Sequence, residues 1–264
     1  MKLKGTFSPL AIYGAIKELR SATSDERPIV VAGARGLVPV LARELAREGD
    51  ASFVREGGAF GEVAVLVYIL AGDPTEADER ELREADRAGV PIVCVASGDG
   101  REVPYVLATN VIRVEPGTGF PVDEIARAIA RVVGEPATAL ARRLPVLRDA
   151  VCAELIRSFA RKNALVGAAV FLPGVDMPVL TLNQIRLVLR IAHAYGEEID
   201  ASRAAELLGV VGGGLGLRAV ARELLDLVPV AGWALKGGMA YVGTRAVGEA
   251  AVRYFESRSV RSGS

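Results

Sequence analysis

The sequence has one histidine, His193, and two cysteines, Cys94 and Cys152. A structural zinc site needs a denser set of soft ligands, so none is expected. The cysteines fall on apolar stretches and read as buried thiols in a reducing cytosol. Nucleophilic catalysis by a Ser/His/Asp or Cys/His set would have to rest on that single imidazole, and no partner stands at a suitable spacing. His193 follows Arg190 on a helical pattern and reads as packed or surface histidine. Aromatic residues are 5% of the chain, too few for a base-stacking surface. Net charge is also missing, with 32 basic residues against 32 acidic ones, so no global field attracts nucleic acid. The opening stretch MKLKGTFSPLAIYGA has lysines but too short an apolar core for a signal peptide, and export is not expected.

What the chain does have is aliphatic residue. Hydrophobic residues make up 51%, yet charged ones are still 24%, which is unlike a polytopic transporter. The longest apolar run is 164–182, nineteen residues with one formal charge, Asp176. That is close to a bilayer-spanning length. Pro173-Gly174 interrupts it and Pro178 follows, so one straight helix cannot pass through. The pattern predicts two helices joined by an apolar bend at Leu172–Val175. A rough repeat of this arrangement appears at Val228-Pro-Val-Ala-Gly232, which leads into another helix ending near Arg253–Phe255. Between them, Gly209, Gly212-Gly213-Gly214 and Gly216 read as close helix packing or a bend rather than a nucleotide loop, since no strand precedes them.

The first half alternates in a different way. Strands are predicted at Ile29–Ala32, Ala51–Val54, Val63–Leu70, Pro91–Ala96 and Val111–Val114. Helices are predicted at 39–48, 75–88, 101–108 and 122–133. Near-continuous aliphatic strands alternating with helices point to an α/β fold, a mostly parallel sheet with helices on both faces. The expected organisation is an N-terminal helix and linker (1–27), the α/β domain (28–135) and connecting helices (136–163). An all-α helical-hairpin domain (164–256) and a disordered tail (257–264) follow.

The segment after the first strand is Gly33-Ala34-Arg35-Gly36-Leu37-Val38-Pro39-Val40. A phosphate-binding Walker loop needs a second glycine, a lysine and a Ser/Thr where Val38, Pro39 and Val40 stand. Gly33 alone keeps the pattern, and Arg35 is the one cation in the loop. After the strand at 91–96, Ala96-Ser97-Gly98-Asp99 keeps only the aspartate of an Asn-Lys-x-Asp guanine-reading motif. Val114-Glu115-Pro116 through Val122-Asp123-Glu124-Ile125 is similar to a Ser-Ala-x-x-Gly loop leading into a final helix. On these positions Pro28–Gly134 resembles the Era-like branch of translation-factor-class small GTPases, shorter by about one strand–helix unit. The resemblance implies a P-loop-like fold. The departures imply a pseudo-GTPase without catalytic residues, cofactor or metal, and with a remnant ligand site at Gly33, Arg35 and Asp99.

In the second half, Pro173, Asp176, Leu180, Gln184, Leu187, Ile191 and Tyr195-Gly196 recur at helical spacing. They resemble a helical family of unknown function found in bacterial inner-membrane proteins, often fused to or encoded beside Era-like GTPases. The resemblance covers about Lys162–Glu256 and implies membrane association. Asp176 reads as a helix cap or a polar contact to Gln184, Arg218, Arg222 or Lys236. Pro173, Asp176, Gln184, Tyr195 and Gly196 are the structural or interaction candidates. The charges at Arg186, Arg190, Arg218, Arg222, Asp226, Lys236 and Arg245 oppose clean spans and favour partly inserted hairpins or a docked bundle.

The expected function is a non-catalytic scaffold at the cytoplasmic face of the bacterial inner membrane. Its partner is the membrane or another protein, with self-association through small residues and no nucleic acid. One alternative is a small-molecule or nucleotide-sensing α/β protein with its site at the strand carboxyl ends. Another is a soluble, cytoplasmic helical adaptor.

Overall fold

The computed structural model describes residues 13, 14, 16, 17, 25–98, 102–169, 177–198 and 233–262. The chain divides into two compact units. One comprises 25–154, the other 1–24 together with 155–264.

The first unit is built on β1 (Ile29–Gly33), β2 (Val54–Glu56), β3 (Val65–Leu70), β4 (Ile92–Ser97) and β5 (Val111–Val114). All pairings are parallel and the order is β2-β1-β3-β4-β5. The helices are α1 (Val38–Leu45), α2 (Glu76–Arg87), α3 (Val122–Val133) and α4 (Ala137–Arg143). The α/β reading of this half therefore holds. Strand residues alternate between faces with period two. Val30, Ala32, Leu66, Tyr68, Leu70, Ile92, Cys94 and Ala96 form one buried cluster with Leu82 and Ala85 of α2. Ile29, Val31, Val65, Val67, Ile69, Val93 and Val95 are equally buried on the opposite face. Right-handed crossovers that run in opposite directions from β1 and β3 put α1 and α2 on opposite faces. Ile125 and Ile129 of α3, both fully buried, stand outside the α2 cluster, and α3 touches β3 and β4.

Two predicted elements are corrected. Ala51–Phe53 is a 3-10 turn, not a strand, because the Asp50 carboxylate accepts from the Ser52 amide (3.1 Å) and hydroxyl (2.6 Å). The strand starts only at Val54, opposite Ile29. Within the helix predicted at 101–108, the described residues 102–107 are not helical. Pro104 would lack an amide in its interior, and Tyr105 takes φ 64°.

The α/β unit does not stop at Pro136. Ala137, Leu140, Ala141, Leu144 and Leu147 are all buried. The Asp50 amide donates to the Arg143 carbonyl (2.9 Å), and the Arg143 guanidinium lies over Phe53, 5.0 Å from the ring centroid. A Cβ on Gly49 would stand 2.6 Å from that same carbonyl, so the close approach requires glycine.

The second unit contains the later part of α5 (Arg148–Ala169), then α6 (Met177–Ala194) and α7 (Trp233–Ser262). Pro145 interrupts the helical run in a 3-10 turn over Pro145–Leu147. Leu147, Val151, Leu155, Ile156 and Phe159, which recur at helical spacing, are buried. Gly237 meets Ala164 and Ala168, while Gly248 meets Ile156 and Leu187. Residue numbers rise along α7 as they fall along α5 and rise along α6. So α6 and α7 run parallel, and both oppose α5. Helix α7 continues through Ser262, so 257–262 is not a disordered tail. Arg258 reaches the Tyr254 hydroxyl (2.8 Å), and the Ser257 hydroxyl donates to the Tyr254 carbonyl (2.8 Å). Among the described residues, no helix is long and apolar enough to cross a membrane.

Candidate functional site

In a sheet of this order the chain leaves β1 and β3 in opposite directions. The crevice outside their carboxyl ends is the expected ligand position. Here that crevice is bridged by backbone. Gly33, at φ 101°, pairs with Ile69 in the ladder, and a Cβ on it would stand 2.2 Å from the Ile69 carbonyl oxygen. The Ala34 amide donates to that same oxygen (2.9 Å). Gly33 is therefore a packing glycine at the strand end.

The loop that follows is closed upon itself. The Leu37 amide (2.8 Å) and the Val38 amide (3.1 Å) both donate to the Ala34 carbonyl. Pro39 has no amide and sits in the first turn of α1, whose N-cap, Leu37, makes no side-chain cap bond. A phosphate cradle presents loop amides outward to the anion. At 37 and 38 those donors are already engaged, and at 39 there is none. Arg35 is exposed on this turn. Asp99 lies outside the described residues.

Between the ends of β3, β4 and β5 there is a small indentation lined by Gly72, Asp73, Pro74, Ser97, Gly98 and Arg113. Its volume of about 10 Å³ holds roughly one water. The Ser97 hydroxyl donates to the Leu70 carbonyl (3.3 Å) across it. Residues 33, 35 and 97–98 thus share the carboxyl end of the sheet, and the indentation beside 97–98 is only water-sized.

Sequence reasoning missed a polar cluster beneath α2. Tyr68 is fully buried, and its hydroxyl lies 2.8 Å from both Asp78 Oδ1 and Glu81 Oε2. Burial first, then the two carboxylates, push the phenol far above its usual range, so it stays protonated. Burial raises Asp78. The Thr75 hydroxyl and amide and the Tyr68 hydroxyl outweigh this and hold its carboxyl below 3.8. Thr75 and Asp78 form a capping box at the start of α2. The Thr-x-x-Asp spacing was the available signal. Cys94, on the same face, has its thiol pushed up to about 12, chiefly by burial.

In the helical unit, Gln184 lies part-buried on α6, and Pro173 and Asp176 lie outside the described residues. Tyr195 stacks on Phe255 (5.8 Å between centroids) and its hydroxyl reaches Glu256 (3.4 Å). Gly196 (φ 86°) ends α6. Its amide bonds to the His193 carbonyl and the Glu197 amide to the Ala192 carbonyl, which is a Schellman stop. Tyr195 and Gly196 thus pack and terminate a helix. His193 is 7% exposed, a packed histidine, and Arg190 is 5% exposed with its guanidinium 5.6 Å from the Phe159 centroid. A second polar cluster was also missed. Asn183 donates to Asn163 (2.7 Å), Asn163 to Thr244 (2.7 Å), and Thr244 to the Ala240 carbonyl (2.7 Å), linking all three helices. Its signal was asparagine and threonine at otherwise apolar positions. No cluster of metal-ligating side chains occurs among the described residues.

Residues 134–264 match the family model described as Domain of unknown function (DUF697). The match is consistent with the expected domain of unknown function in the helical half. The DUF697 match starts earlier than the helical unit. Its first residues, 134–154, belong to the α/β unit. No curated protein matches the chain.

Proposed function

We propose that the chain is a non-catalytic pseudo-GTPase scaffold held at the cytoplasmic face of a bacterial inner membrane by its DUF697 region. The observation that carries the non-catalytic part is the closed turn after β1. The Leu37 and Val38 amides are spent on Ala34, and Pro39 offers none. A triphosphate would have to break two hydrogen bonds to gain donors, with no lysine or hydroxyl at 39 and 40 to hold it. The attachment we propose is peripheral, in keeping with the lack of a spanning helix among the described residues. Its role is then to place a partner-binding α/β unit at the membrane, alone or in self-associated copies.

The test is calorimetric titration of the full chain with GTP, GDP and ATP, with and without magnesium. The expected outcome is no saturable binding. Saturable binding that Arg35→Ala or Asp99→Ala abolishes would replace the scaffold with a nucleotide sensor whose site is at the strand carboxyl ends.

A further inference from the structure

The turn after β1 spends its amides on itself, but it turns apolar side chains outward. Leu37 and Val40 are 41% and 44% exposed, and Pro39 between them is exposed as well. Helix α1 buries Val38, Leu41, Ala42 and Leu45. At 3.6 residues per turn, Val40, Arg43 and Arg47 then share the outward stripe, three and four residues apart. Arg43 and Arg47 are exposed, and so is Arg35 on the turn itself. None of these three guanidinium groups makes an ion pair among the described residues, although Glu44 and Glu48 lie close in sequence.

This surface is also held in place. The Ala34 amide is fixed to the Ile69 carbonyl (2.9 Å), and the Leu37 and Val38 amides are fixed to Ala34. The Val40 and Leu41 amides both donate to the Leu37 carbonyl (3.1 Å each). All of these residues lie inside the continuous described stretch 25–98. A partner therefore meets apolar and cationic groups whose backbone is already ordered, which lowers the cost of binding.

We propose that the outward stripe of α1 and the turn before it are the docking surface of the α/β unit for an acidic protein segment that carries an apolar anchor. The anchor sits on Leu37, Pro39 and Val40, and the carboxylates meet Arg43 and Arg47. Charge complementarity selects this occupant. Arginines without ion pairs, beside exposed aliphatic side chains, suit a chain that supplies both carboxylates and an apolar side chain. A second copy pairing α1 on α1 would set Arg43 and Arg47 against like charge. A lipid surface reaching Leu37 and Val40 would also meet Glu56, Asp73 and Glu115, exposed at the same carboxyl end of the sheet. The inference rests on the reading of the α/β unit as a partner-binding scaffold and supplies its surface and the chemistry of its partner.

The experiment pans a phage library of random linear peptides against the full chain and measures the enriched peptides by fluorescence anisotropy. The expected peptides carry acids beside a leucine, isoleucine or phenylalanine. Their affinity should fall at least about tenfold in Leu37→Ser/Val40→Ser and in Arg43→Ala/Arg47→Ala. Arg43→Lys/Arg47→Lys should keep most of it. Arg80→Ala/Arg87→Ala, on the exposed side of α2 across the sheet, should bind as the wild type does. All substituted positions are exposed, so thermal melts by circular dichroism should match the wild type. Enriched peptides that both of the first two double variants bind unchanged would overturn this surface and leave the scaffold reading standing. Displacement of the peptides by GTP or ATP with magnesium would overturn the scaffold reading itself. Sedimentation with phosphatidylglycerol vesicles that the same double variants abolish, in place of peptide enrichment, would assign the stripe to lipid and overturn the protein partner.

Discussion

Gly33 was legible in the sequence as the glycine of a phosphate loop, and that likeness misdirects. The residue is retained at a place where backbone meets backbone, which a phosphate loop and a plain strand end both require. Gly33→Ala should cost at least about 3 kcal/mol, since the new Cβ meets an immovable carbonyl at a φ that alanine rarely adopts. Urea unfolding midpoints would check this. Tyr68 gives a second, pH-resolved test. Asp78 has a folded value below 3.8, so its stabilisation is present above that pH and lost as pH falls through the lowered value. Tyr68→Phe removes one donor and moves the folded value back toward 3.8. The variant should lose about 1–3 kcal/mol at neutral pH, and its further loss in acid should be shallower than the wild type's. Urea unfolding measured from neutral pH down into acid would show both.

At the scale of elements, the sequence was most readable where one force dominates. The strands at 29, 65 and 92 are runs of aliphatic residues buried on both faces, and α3 matched its predicted ends because its apolar face repeats cleanly. It was least readable where a side chain competes with backbone pairing. Asp50 turned a predicted strand into a 3-10 turn, and Pro104 with Tyr105 removed a predicted helix. Asn163 and Thr244 stand out as polar residues at otherwise apolar positions, but they are 81 residues apart. Nothing local marks such a pair. Thr244→Val keeps the shape of the side chain but leaves the Asn163 amide without that acceptor. The loss should be about 1–3 kcal/mol. Combining it with Asn163→Ala should cost clearly less than the sum, as a double-mutant cycle would report.

At the scale of the molecule, the candidate site was legible mainly through what it lacks, and the domain boundary only in part. Composition suggested an α/β domain closing at Gly134-Glu135-Pro136, but the compact unit runs to Glu154. The reason is that Leu140, Leu144 and Leu147 are buried in that unit rather than in a linker. A fragment of residues 25–154 should unfold cooperatively. A fragment of 25–134 should lose that cooperativity and bind a hydrophobic dye, because it lacks α4 and the buried leucines 140, 144 and 147. The contact of Arg143 with Asp50 also has a consequence during synthesis. Translation adds about 5–20 residues per second, so the stretch from Asp50 to Leu147 takes on the order of ten seconds to emerge. Until that interval ends, β1 and the aliphatic strands that emerge after it lack their closing helix. Exposed aliphatic surface of that kind favours aggregation until the closing helix is made.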